Sequence, residues 1–242
     1  MARVKPAAAS AAAAAQACAE FDLAKQSVRE LNDFLHKRIG DTRRVRVLNP
    51  DGAHSIAVGV DAAVEIDIEG HAGYSAAGMN KQARVTVHGN CGPGVAEGMS
   101  CGRVHVMGFA SVAAGAAAHG GLLVIDGDAS LRCGISMKGV DIVVGGSVGD
   151  YAAFMAQAGR VVVCGDAGDA LGDSLYEAVI YVRGKVTSFG ADAHEEPMGA
   201  ADYAAVGQLL SEAGFPHHPR EFRRVASMRS LYHWNADANQ EY

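Results

Sequence analysis

The segment LLVIDGDASLRCGISMKGVDIVVGG, residues 122–146, decides how this chain folds, because it contains one short motif twice. In the motif, two branched aliphatic residues flank one residue of any type, and a glycine follows two positions after the second aliphatic. The motif recurs every 19 residues without a slip, and its glycines are Gly70, Gly89, Gly108, Gly127, Gly146, Gly165 and Gly184. Every aliphatic position in the seven copies is Val, Ile or Leu, so the repeat is not a chance pattern.

A fixed period of this length predicts a solenoid with one coil of chain per repeat. The alternation before each glycine indicates a short strand whose two aliphatic side chains point inward. Equivalent strands of successive coils lie side by side, so they are parallel and about 4.8 Å apart. The predicted fold class is therefore all-β, a single-stranded parallel β-helix of about seven 19-residue coils with flanking N- and C-terminal helices. Each motif glycine ends its strand at a corner, where positive φ or close backbone approach excludes a side chain.

The sequence outside the repeat divides the chain into four predicted segments. Residues 1–20 are an Ala-rich flexible tail rather than an export signal, because their alanine run contains no Leu, Ile, Val or Phe. Residues 21–60 hold an N-terminal helix and lead-in strands, and residues 61–190 form the β-helix. Residues 191–242 hold a C-terminal helix and an interface tail.

The two helices are predicted from apolar stripes at helical spacing. The first spans residues 22–37, with Asp22 as its N-cap and Gly40 as its stop. The second spans residues 202–213 and ends at a glycine. Val45 and Val47, and then Ile56, Val58 and Val60, alternate with other residues as lead-in strands.

The outward positions of the strands separate into two groups. The residue between the two aliphatics is polar in the first three repeats and apolar in the last four, where it is Val124, Val143, Val162 and Tyr181. Such an apolar ladder is more often covered than exposed. Either the chain's own helix or tail covers it, or a partner subunit does, and the sequence leaves both open.

The C-terminal tail adds a second candidate contact region. Arg223, Arg224 and Trp234 belong to a run of arginines and aromatics that resembles interface anchors. Together with the apolar ladder they form the candidate partner face.

Composition excludes several classes of protein. The net charge of −6 argues against nucleic acid as a partner, and no apolar run reaches the roughly 18 residues of a membrane-spanning helix. The five cysteines include no C-x-x-C pair, and their odd number suits a reducing compartment, which predicts a cytoplasmic location.

Acidic residues offer one route to catalysis. Asp166, Asp169 and Asp173 cluster near one corner of the sixth coil. Pairs of acids on a β-helix can hydrolyse glycosides, so a stand-alone polysaccharide-active enzyme is one hypothesis. Corner aspartates more often hydrogen-bond their own backbone, which is the interpretation favoured.

Histidines offer no better site. His88 and His105 have no carboxylate in the same column of the repeat, and they are interpreted as surface residues. His217 and His218 are adjacent and lack a third ligand for a metal. No catalytic, cofactor-binding or metal-binding residue is therefore predicted, and the seven motif glycines are assigned a structural role.

The quoted repeats resemble the GXGXG β-helix family. The resemblance rests on GHAGYSAAGMN, GNCGPGVAEGM and SLRCGISMKGVDIVVGGSVG, and it covers roughly residues 56–190. The family includes the C-terminal domain of the glutamate synthase large subunit and the β-helix subunit of formylmethanofuran dehydrogenase. SLRCGISMKGVDIVVGGSVG and FMAQAG are most similar to the free-standing branch, the β-helix subunit of N-methylglutamate synthase. FDLAKQSVRELNDFLH and SLYHWN are consistent with that branch. A DHGCEYMTGG-like coil, expected in glutamate synthase itself, is missing.

The resemblance implies a non-catalytic subunit of a hetero-oligomeric enzyme complex. Its partners would be a class II glutamine-amidotransferase-like subunit and a glutamate-synthase-like subunit that carries FMN and an iron–sulfur cluster. The complex would convert methylamine and glutamate to N-methylglutamate and ammonia. The alternative within the family is the β-helix subunit of a formylmethanofuran dehydrogenase-like formyl-transfer complex.

Overall fold

The computed structural model describes residues 18–228 of the protein, which form eleven strands, two α-helices and a short 3-10 helix at Pro219–Glu221. The helices are α1 (Val28–Lys37) and α2 (Ala200–Ala213). The strands are β1 (Cys18–Asp22), β2 (Arg44–Leu48), β3 (Glu65–Ile68), β4 (Arg84–Val87), β5 (Arg103–Val106), β6 (Leu122–Ile125), β7 (Lys138–Val144), β8 (Ala158–Val163), β9 (Val179–Val182), β10 (Ala193–Glu196) and β11 (Arg223–Ser227).

All eleven strands belong to one sheet, in which β1 to β9 follow each other in chain order and are parallel. From β3 onward the register advances by the period of the sequence, so that Val85 lies opposite Val104 and Val104 opposite Leu123. The predicted fold class is therefore confirmed: the chain is mostly β, with a parallel solenoid of about seven turns and two helices.

The core lies inside the coils and is built from stacked columns. Each aliphatic of the seven motifs is at most 1 % exposed. A second inward column lies two residues after each glycine, where single backbone bridges join neighbouring coils. Its members are Ala72, Cys91, Ala110, Ala129, Val148, Ala167 and Val186. Because equivalent positions of successive coils hold similar apolar side chains, every coil has the same cross-section, which keeps the register constant.

The motif glycines form a column of their own at the first corner. The backbone N–H of Gly127 donates to the carbonyl of Gly108 at 3.0 Å, and that of Gly146 donates to the carbonyl of Gly127 at 3.0 Å. A Cβ on Gly165 would lie 2.7 Å from the carbonyl carbon of Gly146. Of the seven glycines only Gly70 has a positive φ, at 142°. Close approach between coils, rather than positive φ, excludes side chains from the other six.

Each coil has a turn-rich side, five to nine residues after the motif glycine, which we call the third side. Its backbone alternates between left-handed and other conformations, which the sequence did not predict. In one coil Tyr151, Ala153 and Met155 have φ values of 57°, 57° and 54°, while Ala152 between them is buried. The same three positions after the motif glycine have positive φ in the neighbouring coils, in glycines and non-glycines alike. The predicted strand at Val45 and Val47 is found as β2. The predicted strand at residues 56–60 is wrong, because this segment is the same turn-rich side of an earlier coil.

Helix α1 closes the N-terminal end of the solenoid. Its Leu31 and Leu35 are buried in the core. Asn32 donates to the carbonyl of Ser55 at 2.8 Å and accepts from the N–H of Ala57 at 3.0 Å, which satisfies the open edge of the first coil. An end cap of this kind protects the core of a repeat protein from water.

The N-terminal boundaries differ from the prediction. Ser27, not Asp22, caps α1, through reciprocal hydrogen bonds with Glu30. Asp22 ends β1, and the first three residues of β1 fall within the segment predicted to be a flexible tail. Residues 1–17 lie outside the described part of the chain.

The C-terminal segment closes the other end of the sheet and turns back over its outer face. β11 pairs antiparallel with β9 on one side and with β10 on the other, so the parallel ladder ends there. Helix α2 begins two residues before its predicted start and ends at Gly214, as predicted. Its Val206, Leu209 and Leu210 are buried against the outer face of the sheet.

Candidate active sites and interaction surfaces

The three aspartates of the sixth coil are used to join coils. Asp166 accepts a hydrogen bond from the N–H of Lys185 at 2.7 Å, one coil further on. Asp169 accepts from the hydroxyl of Ser188 at 2.9 Å, and Asp173 accepts from the N–H of Ala191, 18 residues further along the chain, at 3.3 Å. The predicted backbone bonding is thus found for Asp166 and Asp173, but to the next coil rather than to their own turn. These contacts give the three carboxylates a structural use and no arrangement around a substrate.

Two histidines have carboxylate partners that the sequence interpretation denied. His88 Nε2 lies 3.1 Å from Asp67 Oδ1, and His105 Nε2 lies 2.8 Å from Asp126 Oδ1. Each pair joins neighbouring coils diagonally, which a search within one column of the repeat cannot detect. Among residues 18–228, no hydrogen bond joins a hydroxyl or thiol to either imidazole.

The buried cysteines are unsuited to chemistry as thiolates. Burial raises the pKa of Cys91 and of Cys133 to about 12, and that of Cys164 to about 11. A thiol must lose its proton to act as a nucleophile or metal ligand. Within the described residues no group of three or more His, Cys, Asp or Glu side chains could hold a metal ion. His218 caps the 3-10 helix by accepting from the N–H of Arg220 at 3.2 Å.

The apolar outer ladder is covered by the chain itself. Val124, Val143, Val162 and Tyr181 are buried in one cluster with Val206, Leu209 and Leu210 of α2 and with Phe222. The interpretation of these four residues as a partner face is therefore corrected, and the alternative, coverage by the chain's own helix, holds.

The two tail arginines are also engaged within the chain. Arg224 forms ion pairs with Glu196 and, at 3.2 Å, with Asp202. Arg223 lies 3.5 Å from Glu195 and keeps a larger exposed fraction. Trp234, the third predicted anchor, lies outside the described residues. The tail arginines hold β11, β10 and α2 together rather than forming a free basic surface.

Tyr181 ties α2 to the sheet through its hydroxyl, which donates to Asp202 Oδ1 at 2.7 Å. Burial, and then this hydrogen bond, raise the pKa of Tyr181 to about 12. We expect Tyr181→Phe to lower the free energy of unfolding by about 1–2 kcal/mol at neutral pH, because Asp202 loses a donor. Tyr151→Phe, at an exposed tyrosine, is the matched control.

Tyr181 also makes the free energy of unfolding depend on pH. The pKa of Tyr181 is higher in the folded chain than the value of about 10 in unfolded chains. Its contribution to folding stability is therefore fully present below about pH 10 and is lost as the pH rises toward about 12. Urea unfolding at several pH values should show this loss in the parent chain and not in Tyr181→Phe. If the free energy of unfolding changed equally with pH in both proteins, the assignment to Tyr181 would be contradicted.

A different side of the solenoid exposes apolar residues. Tyr74, Met79, Leu131, Tyr151 and Met155 are all exposed and all lie on the turn-rich side, which we call the turn face. Sequence reasoning missed this surface because it followed only the strand positions. No repeated signal marks it, because the other residues four, five or nine positions after a motif glycine are mostly small or polar. Exposed apolar surfaces of this kind are typical of protein interfaces.

A full-length relative places the chain among known proteins. Protein GlxC of Rhizobium meliloti (strain 1021) is 52 % identical over 225 residues, which cover 92 % of this chain and 99 % of that protein. The chain is a member of the GlxC family. No family model matches this GlxC-family chain, and no solved structure matches it. Because the match covers nearly all of both proteins, the chain corresponds to the whole relative rather than to one part of it.

The described helices also bear on membrane association. Neither α1 nor α2 is long and apolar enough to cross a bilayer.

Proposed function

We propose that this GlxC-family chain is a non-catalytic structural subunit of a glutamate-synthase-related enzyme complex. The observation that carries the proposal is the use made of its polar side chains: the aspartates and histidines that could do chemistry instead join one coil to the next. Because these side chains stabilise the stack of coils, a structural role for the chain is favoured over a catalytic one. The resemblance of its repeats to the GXGXG β-helix family supplies the class of complex.

The finer proposal is that the complex is an N-methylglutamate synthase. The chain would bridge a class II glutamine-amidotransferase-like subunit and a subunit that carries FMN and an iron–sulfur cluster, in a cytoplasmic hetero-oligomer. We assign no cofactor to this chain itself. The exposed apolar residues of the turn face are suited to one of the two contacts, because protein partners bury such surfaces.

Purification of the affinity-tagged full-length chain from its own cells tests this function. We expect it to bring down a partner with the visible absorption of bound FMN, and the complex to form N-methylglutamate from methylamine and glutamate. A partner without flavin, together with formyl-transfer activity, would instead support the formylmethanofuran dehydrogenase-like assembly. A chain that purifies alone, or that turns over polysaccharide without a partner, would overturn the proposal. Native mass measurement of the same sample gives the stoichiometry.

A further inference from the structure

The C-terminal half of the turn face carries a group of apolar residues from two neighbouring coils. Tyr151 and Met155 are 45 % and 51 % exposed, and Leu131, in the preceding coil, is 44 % exposed. The half-buried ring of Phe154 lies edge-on to that of Tyr151, with 6.0 Å between the ring centroids. Half-buried Ile135 occupies the position of Phe154 one coil earlier. We call these five residues the turn-face cluster, and exposed apolar groups of this kind are typical of a surface that is covered in use.

The turn-face cluster has the size of one polypeptide segment rather than of a second folded protein. A stable interface between two folded proteins takes about 20–30 residues from each side. The cluster offers far fewer, and it ends at the next coil, where Asp173 and Ser174 replace Phe154 and Met155. These two polar side chains are hydrogen-bonded to each other at 2.8 Å. A short segment with a few apolar side chains therefore fits the cluster better than a second copy of the chain does.

The described part of the chain ends close to this cluster. The N–H of Met155 donates to the next coil at 2.9 Å, and in that coil the N–H of Ser174 donates to the carbonyl of Ala191 at 3.1 Å. The N–H of Met228 in turn donates to the carbonyl of Asp192 at 2.7 Å. Three steps between neighbouring backbones thus separate Met155 from Met228, which is about 14 Å at about 4.8 Å per step.

The residues that follow Met228 have the length and the composition to reach the cluster. Residues 229–242 span up to about 46 Å when fully extended, at about 3.3 Å per residue. They include Leu231, Tyr232 and Trp234, which lie within about 10–20 Å of Met228 along an extended chain. A tethered segment also has an advantage over a separate polypeptide, because its effective concentration at a nearby surface is in the mM range.

We propose that residues 229–242 of this chain cover the turn-face cluster, with Tyr232 and Trp234 packed on Tyr151 and Met155. Residues two positions apart in an extended segment share a face, so both aromatic side chains can contact the same surface. Aromatic rings form favourable contacts with other rings and with methionine sulfur. The N-terminal half of the turn face stays open for a partner. This assignment goes beyond the proposed function and does not depend on it.

Fluorescence of the full-length chain, expressed on its own, tests the contact because Trp234 is its only tryptophan. We expect emission that is blue-shifted from that of the urea-unfolded chain and independent of protein concentration. Tyr151→Asn with Met155→Asn should lower the ratio of covered to uncovered clusters by about a hundredfold, since each buried side chain contributes about tenfold. The emission should then shift to that of the unfolded chain. Asparagine tolerates the positive φ of both positions.

Tyr74→Asn with Met79→Asn is the matched control for the double variant. It replaces the same two residue types, which are equally exposed at the other end of the turn face. Met79 and Met155 both lie nine residues after a motif glycine and have φ values of 53° and 54°. We expect the control to leave the emission unchanged, and circular dichroism should show the same fold in both double variants.

Methionine oxidation gives a second measurement without any change in the cluster itself. Deleting residues 229–242 removes the proposed cover, and dilute peroxide followed by mass spectrometry measures the oxidation rate of each methionine. The rate at Met155 should rise by about fivefold or more on deletion, because oxidation follows exposure. The rate at Met79 should stay the same and is the internal control.

Several results would overturn the proposal. They are an emission equal to that of the unfolded chain, an unchanged emission in Tyr151→Asn with Met155→Asn, and equal oxidation of Met155 with and without residues 229–242. A red shift on dilution would assign the cluster to the tail of a second copy instead. Protection of Met155 only in the purified complex would assign it to a partner. The proposed function is tested separately, by the flavin and the activity of the complex.

Discussion

Val144→Asp is expected to lower the free energy of unfolding by about 4 kcal/mol or more, enough to unfold much of the solenoid. Val144 is fully buried, and its neighbours in the column are Ile125 and Val163. A carboxylate there has no partner and no route to water, and it disturbs the coils on both sides because they share one core. Urea unfolding followed by circular dichroism measures the effect.

Val143→Asp, at the adjacent residue of the same strand, is the matched comparison. Its side chain points to the other side of the sheet, under α2. If a partner subunit covered the ladder, this change would spare folding and disturb assembly. Because α2 covers the ladder, we expect α2 to detach, at a cost of about 2–3 kcal/mol. The core of the solenoid should remain, so we expect circular dichroism to show nearly the full strand signal and a reduced helix signal. An unfolding free energy equal to that of the parent chain would show that α2 does not cover this ladder.

Gly165→Ala is the second large effect we expect, with a loss of about 2–3 kcal/mol. The added methyl group would lie 2.7 Å from both the carbonyl carbon and the carbonyl oxygen of Gly146, which are backbone atoms that cannot turn away. The coils would have to separate locally and stretch the hydrogen bond between these two glycines, now 2.8 Å. Thermal unfolding of the purified chain measures the loss.

Gly78→Ala is the control for this prediction. A Cβ at Gly78 would meet the carbonyl oxygens of Ser75 and Glu97 only at 3.3 and 3.5 Å. We expect a change within about 1 kcal/mol, because the small steric cost is offset by the reduced entropy of the unfolded chain. Equal losses in the two variants would contradict the view that stacking between coils determines where glycine is required.

The period of the sequence was enough to predict the sheet, its parallel direction, its register and the inward columns. These features depend on one repeated geometry, which a repeated pattern reports directly. The left-handed backbone of the third side could not be predicted, because a residue such as Ala153 has no sequence signature for positive φ. Its conformation is imposed by the coils stacked above and below it, at a local cost that alanine alone would not bear.

Other features were present in the sequence and were missed. Ser27 and Glu30 form the S-x-x-E pattern of a capping box, which gives the true start of α1. The pairs of His88 with Asp67 and His105 with Asp126 are each separated by 21 residues, one coil plus the two positions of a diagonal neighbour.

What covers the outer ladder could not be decided from the pattern. Alternation along Ile142, Val143 and Val144 indicates that the middle side chain points outward, but not which element packs on it. The apolar stripe of α2 was recognised, yet nothing in the local sequence relates a helix to a sheet face some distance away in the chain.

Closure at both ends gives the solenoid a set length. Helix α1 occupies one end, and the antiparallel β11 and β10 occupy the other, so further coils cannot add by simple stacking. With eleven strands in one sheet at about 4.8 Å each, the two ends are roughly 48 Å apart. The chain can thus act as a molecular ruler: deleting or inserting one complete 19-residue coil would change the distance between its end surfaces by about 4.8 Å while leaving those surfaces intact.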